Sequence, residues 1–229
     1  MLYIDGKPAN IDQKDYANFH GNSVFTTLRS KALELLYWDL HWQRLKEHAK
    51  YFGYTLPKES EVLALLKKNT EVDQRLRVII SQNNYAVTCE PYCALPDEIY
   101  LGVKVIYSDI TTHPLFGRFK TGNSLPYFLA QKQAQRAGAF EALLLDCDGY
   151  VVDGSRTSLM MVKDQTIYSL TGGLDGVMRQ AVIMWARSVG ITCEDVRLKP
   201  HEISGSLLLA NSLMGVVPVD SVDCEISRM

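Results

Sequence analysis

Long hydrophobic runs are missing from this 229-residue chain. None approaches the roughly 18 apolar residues that a membrane-spanning helix needs, so no membrane partner is expected. An excess of one charge is missing too: 24 Lys+Arg stand against 26 Asp+Glu, a formal net charge of -2. That removes the basic footprint of a nucleic-acid binder. The five cysteines, Cys89, Cys93, Cys147, Cys193 and Cys224, are odd in number and scattered, which speaks against a disulfide framework. Cys89 and Cys93 lack a second pair with which to build a zinc site, and no metal is expected. The start, Met1-Leu2-Tyr3-Ile4-Asp5-Gly6, lacks the basic opening and apolar core of a secretory signal. A cytoplasmic protein is expected. No internal repeat or low-complexity segment is visible.

What remains is an ordinary globular composition, 47% hydrophobic and 22% charged, long enough for one large domain or two small ones. Leu2 to Asp5 reads as a short strand closed by Gly6. Val24–Arg29 and Glu34–Trp38, rich in β-branched and aromatic residues, read as a hairpin. Helices are expected over His41–Phe52, with Leu40, Leu45, Ala49 and Tyr51 as its buried stripe, and over Glu59–Lys68. Strands are expected at Arg75–Ser81 and Ile99–Ser108. Asn83 to Asp97 has no clear period and reads as a loop or a short hairpin. The turn-rich stretch from Ser108 to Gly117 marks the expected boundary, giving domains 1–108 and 109–229. In the second, a helix is expected over Leu125–Arg136, and hairpins from Ala142–Asp146 with Tyr150–Val152 and from Leu159–Val162 with Thr166–Ser169. A helix opens at Gly176, with Val177, Ala181, Val182, Trp185 and Val189 on one face and Gly190 as its cap. Strands close the chain at Cys193–Leu198 and Leu207–Ala210. Strands and helices mix without strict alternation, so the expected class is α+β.

The second half also carries a set of chemically useful groups. Lys120, in Lys120-Thr121-Gly122-Asn123, is an amine able to form a Schiff base. Asp153, in Asp153-Gly154-Ser155-Arg156, is a carboxylate able to face a ring nitrogen. The helix opening at Gly176 offers the free amides of Val177 and Met178 to an anion. The turn at Asn211-Ser212 adds a hydroxyl. These are parts that a pyridoxal-phosphate enzyme must supply. Each has a plainer reading: a solvated lysine, a turn aspartate before glycine, a helix start, a loop serine.

Taken in order, the motifs resemble the class IV, or fold-type IV, pyridoxal-phosphate enzymes. That family holds branched-chain aminotransferases, D-amino-acid aminotransferases and aminodeoxychorismate lyases. The resemblance runs from Tyr3-Ile4-Asp5-Gly6 to Pro218-Val219. It is carried by Gly21-Asn22-Ser23-Val24-Phe25-Thr26-Thr27-Leu28-Arg29, His41-Trp42-Gln43-Arg44-Leu45, Lys120-Thr121-Gly122-Asn123, Asp153-Gly154-Ser155-Arg156, Gly176-Val177-Met178-Arg179 and the run Asn211–Val219. It implies a two-domain, D-amino-acid-aminotransferase-like α+β fold, bound pyridoxal 5'-phosphate, a small-molecule substrate and a homodimer. By the same resemblance Lys120 is the Schiff-base lysine and Asp153 pairs with the pyridine nitrogen, where the family normally has glutamate. Arg44, Val177, Met178 and Ser212 hold the phosphate. Arg179 is expected to be structural, and Tyr127 and Trp185 to be packing aromatics.

Within the family, Phe25-Thr26-Thr27, Ser124 and the run Asn211–Val219 look like the aminodeoxychorismate lyases; aminotransferases often carry an acidic residue at the Thr26 position. The implied reaction releases pyruvate and forms 4-aminobenzoate, a folate precursor, with Lys120 moving protons and Thr27 as a hydroxyl relay. An ordinary strand threonine is the competing reading of Thr27. Many relatives carry a Gly- and Arg-rich loop after the strand matched by Arg77–Ser81; here Gln82 to Thr88 has neither residue. Arg29 and Arg118 are therefore the candidates for an acidic substrate, with His113 beside them. Two other readings stand: an aminotransferase acting on a D- or branched-chain amino acid, and a catalytically degenerate relative with a binding or regulatory role.

Overall fold

The computed structural model describes residues 2–4, 6–8, 21–32, 34–68, 73–82 and 84–223. Asp5, Asn83 and Cys224, named above, lie outside them. The chain forms two compact units: residues 1–94 with 120–123, and residues 95–119 with 124–229. The boundary therefore differs from the expected 108/109. Turn-forming residues mark where the chain bends, but packing decides where a unit ends. The strand that runs through Ser108 belongs to the second sheet, and Lys120 groups with the first unit.

The first unit holds β1 (Leu2–Ile4), β2 (Lys7–Pro8), β3 (Ser23–Lys31), β4 (Glu34–Leu35), α1 (Trp38–Phe52), α2 (Glu59–Lys67), β5 (Gln74–Ser81) and β6 (Tyr85–Pro91). Its six-stranded sheet has the order β2-β1-β6-β5-β3-β4. One face is apolar: Val24, Leu28, Leu76, Val78 and Ile80 pack with Trp38, Trp42, Leu45, Val62 and Leu66 of the two helices. The other face of β3 and β5 is half-buried, the alternation of a sheet covered on one side. Helix α1 begins earlier than its sequence suggests, at Trp38, which stacks on Trp42 at 5.5 Å. The buried stripe includes Trp38, Trp42, Leu45 and Ala49, and Tyr51 is 56% exposed. The featureless stretch after Asn83 contains β6, the partner of β5 along its whole length.

The second unit holds β7 (Val103–Thr111), α3 (Leu125–Arg136), β8 (Glu141–Leu145), β9 (Val151–Gly154), β10 (Ser158–Lys163), β11 (Thr166–Leu170), α4 (Val177–Ser188), β12 (Thr192–Val196), β13 (Ser206–Asn211) and β14 (Gly215–Asp223), with 3-10 turns at Asp97–Leu101 and Phe116–Arg118. The apolar Ile99-Tyr100-Leu101, expected as strand, is one of those turns; Gly102, at φ 136°, breaks it from β7. The sheet order is β12-β11-β10-β13-β14-β7-β8-β9. Its ends meet, since Val151 of β9 bridges Leu198, just past β12. Val105, Leu143, Leu159 and Leu209 face the enclosed side. On the outer side Ile106, Ala142 and Leu144 pack on Ala130 and Ala134 of α3, and Met160 and Ala210 on the α4 side, with Ala186. Covering on both sides explains why β8 to β10 read as near-continuous apolar runs. Trp185, expected to pack, is 59% exposed and Val189 56%; α4 buries Val177, Arg179 and Ala186 instead.

Candidate active site

In the first unit, alternation along β3 sorts neighbouring threonines onto opposite faces. Thr26 is buried, whereas Phe25, Thr27 and Arg29 share the half-buried face. The segment Lys120–Asn123 adds itself to the free edge of β3: Phe25 N–H donates to the Lys120 carbonyl at 2.9 Å, Gly122 N–H to the Ser23 carbonyl at 2.8 Å, and Val24 bridges Thr121. Gly122 is what lets the two approach, because a Cβ there would meet Ser23 Oγ at 2.6 Å and Gly21 Cα at 3.2 Å. The pairing sets Lys120 opposite Phe25, with Nζ 5.0 Å from the ring centroid.

Behind the same strand lies a buried polar group. Arg44, 6% exposed, donates through Nη2 to Thr26 Oγ1 at 2.8 Å. Thr26 Oγ1 is also hydrogen-bonded to His41 Nδ1 at 2.6 Å. Lys120 N–H donates to His48 Nδ1 at 3.3 Å. Burial, then the charges of Arg44 and Lys120, hold the His48 pKa down to about 4 and push that of His41 well below the ordinary range. Both imidazoles are thus neutral at pH 7. His41 Nε2 is buried and has no hydrogen-bond partner among the described residues. Sequence reading missed Thr26, His41 and His48 as a group. Their signal was the spacing His41, Arg44, His48 on one helix.

Thr27 accepts from Arg77 Nε at 3.2 Å. Arg29 is held by Asp73 at 2.6 Å, and its guanidinium lies 3.9 Å from the Tyr92 ring centroid. The hydrogen bond from Arg29 keeps the Asp73 pKa low against the opposing effect of burial. Of the residues proposed for an acidic substrate, Arg29 therefore already has a carboxylate. Arg118 ends an exposed 3-10 turn in the second unit. His113 caps that turn, its Nδ1 accepting from the amides of Leu115 and Phe116.

In the second unit, Asp153 is 5% exposed on β9. Its Oδ1 accepts from Gly154 N–H at 3.2 Å and Oδ2 from Leu174 N–H at 3.4 Å. The loop that supplies Leu174 presses against β9: a Cβ on Gly173 would meet the Val152 carbonyl at 2.5 Å and Asp153 Cβ at 3.0 Å. Burial, then the Asp153 charge, raises the Tyr127 pKa. Arg179 is buried in α4 and pins the loop, donating to the carbonyls of Leu170 and Leu174 and to Asp175 Oδ1. Gly176 caps α4 and no side chain caps the helix, so the first-turn amides of Val177 and Met178 open the helix unblocked. Ser212 lies in the β13–β14 turn, which Asn211 Oδ1 fixes by accepting from Leu213 and Met214 N–H, each at 3.0 Å.

Glu141, unremarked in the sequence, is fully buried below the Asp153 strand's end. Its carboxyl gathers Ser155 Oγ and N–H, Ala142 N–H, Arg156 N–H and Thr157 Oγ1. Burial raises its pKa while those donors pull the other way. Arg156 leans on it at 3.9 Å and covers the Phe140 ring. Glu141 thus holds the turn that follows Asp153. Its position between Phe140 and an apolar run was the only cue to a buried carboxylate.

The second unit offers a buried, amide-braced carboxylate and an uncapped helix start, and the first a strand-edge amine; each is a group that an anionic, ring-nitrogen cofactor can use. Residues 23–222 match the family described as amino-transferase class IV, and the chain belongs to that family. It is a class IV enzyme that uses pyridoxal phosphate, and the donor set fits that group. The solved structure of a "Putative 4-amino-4-deoxychorismate lyase" is 39% identical, with a TM-score of 0.86 over 96% of this chain and 92% of that one. A "Putative branched-chain-amino-acid aminotransferase" of Methanocaldococcus jannaschii is 26% identical, covering 96% of this chain and 85% of the relative. The aminodeoxychorismate lyase of Vibrio harveyi is 20% identical over 100% of this chain and 94% of its own length.

Proposed function

We propose that this enzyme is a 4-amino-4-deoxychorismate lyase, releasing pyruvate and forming 4-aminobenzoate. One observation carries the reading: the Thr26-Thr27 pair, with Thr26 bonded to Arg44 and Thr27 on the face of β3 that also bears Phe25, the partner of Lys120. An acidic residue at position 26 would place a second charged group in that buried spot. The likeness to the 39%-identical structure supports the same choice.

In this reading Lys120 would hold pyridoxal phosphate through its amine. Asp153 would keep the pyridine nitrogen protonated. Arg44, the amides of Val177 and Met178, and Ser212 bind the phosphate. Bound pyridoxal phosphate supplies an electron sink for the pair released at the amine-bearing carbon. Lys120 Nζ takes the proton from that carbon. The ether C–O bond then breaks with its electron pair on oxygen, and the ring becomes aromatic. Thr27 would relay that proton from Lys120 Nζ to the methylene carbon of the departing enolpyruvate, giving up its own as it takes the other, and the enolpyruvate becomes pyruvate. Because Thr27 Oγ1 accepts from Arg77, its own proton is left to be donated. The proton lost by the ring equals the one gained by pyruvate, and no second substrate is needed.

The aminotransferase reading is favoured by the 26%-identical relative. It needs a keto-acid acceptor and leaves the cofactor aminated. Pyruvate release from aminodeoxychorismate by purified holoenzyme, with no keto acid present, separates the two. Release at a turnover matching 4-aminobenzoate formation supports the lyase; none, with amino transfer to an added keto acid, replaces it. A colourless protein that stays colourless with added pyridoxal phosphate would instead support the degenerate reading. The homodimer implied by the resemblance is part of the proposal, and light scattering of the holoenzyme tests it.

A further inference from the structure

Helix α1 turns His41, Arg44 and His48 onto one face, and all three are buried. His48 serves the Lys120 backbone, accepting from its N–H at 3.3 Å. The His41 ring has one hydrogen bond among the described residues, between Nδ1 and Thr26 Oγ1 at 2.6 Å; its Nε2 has none. Counting protons fixes the sense of that bond. Arg44 Nη2 can only donate, so Thr26 Oγ1 accepts from it at 2.8 Å. The Thr26 hydroxyl has one proton of its own to give. If it goes to His41 Nδ1, one buried group is left unmet, the N–H at Nε2. If His41 Nδ1 carries the proton and donates, two are left unmet: the bare Nε2 and the Thr26 proton, at a residue with 0% exposure. Each unmet buried group costs at least as much as a lost hydrogen bond, so the first arrangement holds.

It needs a neutral ring, and burial with the charges of Arg44 and Lys120 keeps His41 neutral. The result runs in one direction, from the Arg44 N–H to the Thr26 oxygen and from the Thr26 O–H to the His41 nitrogen. Its effect falls on Arg44. A threonine hydroxyl turns freely unless an acceptor holds its proton. With that proton on Nδ1, the Thr26 lone pairs face Arg44, and the plane of the guanidinium is fixed with them. Packing does not account for His41: an apolar side chain of similar size would leave no ring nitrogen unmet. What accounts for it is the bond at Nδ1.

We infer that His41 is a positioning residue: through the Thr26 hydroxyl it aims Arg44, and so sets the grip of the first unit on the cofactor's phosphate. This rests on the reading of Arg44 as a phosphate arginine. Thr26 and Thr27 then divide the work of β3 between its two faces, the first orienting a binding group and the second relaying a proton.

The test is titration of the whole chain, stripped of cofactor, with pyridoxal phosphate and with pyridoxal, which lacks the phosphate, in the wild type, Arg44→Met, His41→Leu, His41→Asn and Thr26→Val. His41→Leu should weaken pyridoxal phosphate by about threefold to tenfold, the scale of one hydrogen bond, and leave pyridoxal unchanged. His41→Asn, whose amide oxygen can stand where Nδ1 stands, should recover part of the loss. Thr26→Val keeps the shape without the hydroxyl; it should match His41→Leu, and the two together should lose little more than either alone. Equal weakening of pyridoxal and pyridoxal phosphate would mean a merely structural histidine. Additive losses, or an unchanged His41→Leu beside a weakened Arg44→Met, would overturn the inference and leave Arg44 on the phosphate. Pyridoxal-phosphate affinity intact in Arg44→Met would sink the reading of Arg44, and this inference with it. Nitrogen NMR of the wild-type holoenzyme needs no variant to fold: it should find the His41 proton on Nε2, and a proton on Nδ1 would overturn the inference.

Discussion

The two units equip the enzyme by different means. In the first, the groups proposed to act are side chains, Lys120, Arg44 and Thr27, with His41 and His48 held neutral beside Arg44 and Lys120. In the second, they are mostly backbone: the amides of Gly154 and Leu174 on Asp153, the opening turn of α4, and the close contacts permitted by Gly173 and Gly176. A side-chain site fails by losing chemistry, and a backbone site by losing shape.

The sharpest break in that comparison is Lys120→Ala. It should cut turnover by about a thousandfold or more and abolish borohydride trapping of the cofactor. Because the Lys120 charge helps to hold down the two histidines, their pKa values should rise at the same time, which imidazole NMR would follow. Trapping that persists on another lysine would contradict it. In the second unit, Glu141→Ala should destabilise the protein by about 3 kcal/mol or more, since buried donors lose their common acceptor. Glu141→Gln, which keeps an acceptor oxygen, should lose less. Urea unfolding measures both, and equal losses would mean that the hydrogen bonds are not the cause.

Gly176→Ala should cost roughly 1–3 kcal/mol, because its Cβ would meet Ser158 Oγ at 2.3 Å. Adding Ser158→Ala should return part of that, and a double-mutant cycle without coupling would refute the clash. A pH dependence of similar size, spread over more than two pH units, comes last. The unfolded chain protonates His48 near its ordinary 6.5, but the folded chain not until about 4. Stability therefore falls as pH drops through that window and is unaffected by this group above it. Unfolding free energies at pH 7, 5.5 and 4.5 should show a shallower decline for His48→Asn than for the wild type.

How far the sequence could be read depended on whether a residue's neighbours were local. Helix α3 was expected at Leu125–Arg136 and lies there, its period and its proline at the first turn being local signals. The two hairpins of the second unit were legible for the same reason. Strand β6 was not, because Tyr85–Pro91 becomes a strand through β5 on one side and β1 on the other. Trp185 misled because aromatic bulk suggests burial, yet α4 faces its sheet through smaller residues. At the site, Lys120 and Asp153 stood out by motif. The contacts of Arg77 with Thr27 and Phe25 were hidden because they come from the facing strand, about fifty residues earlier. Glu141 was hidden because most of its donors come from a turn fourteen and more residues later.

The return of Lys120–Asn123 to the first unit has a consequence for synthesis. As the chain emerges, β3 can pair with β4 and β5 early, yet its edge at Phe25 stays open until residue 123 has been made. Such a distant closure is slow compared with hairpin formation. The nascent first unit must wait, with an unpaired strand edge of the kind that recruits other chains, and the segment that ends the wait is the one that carries the lysine.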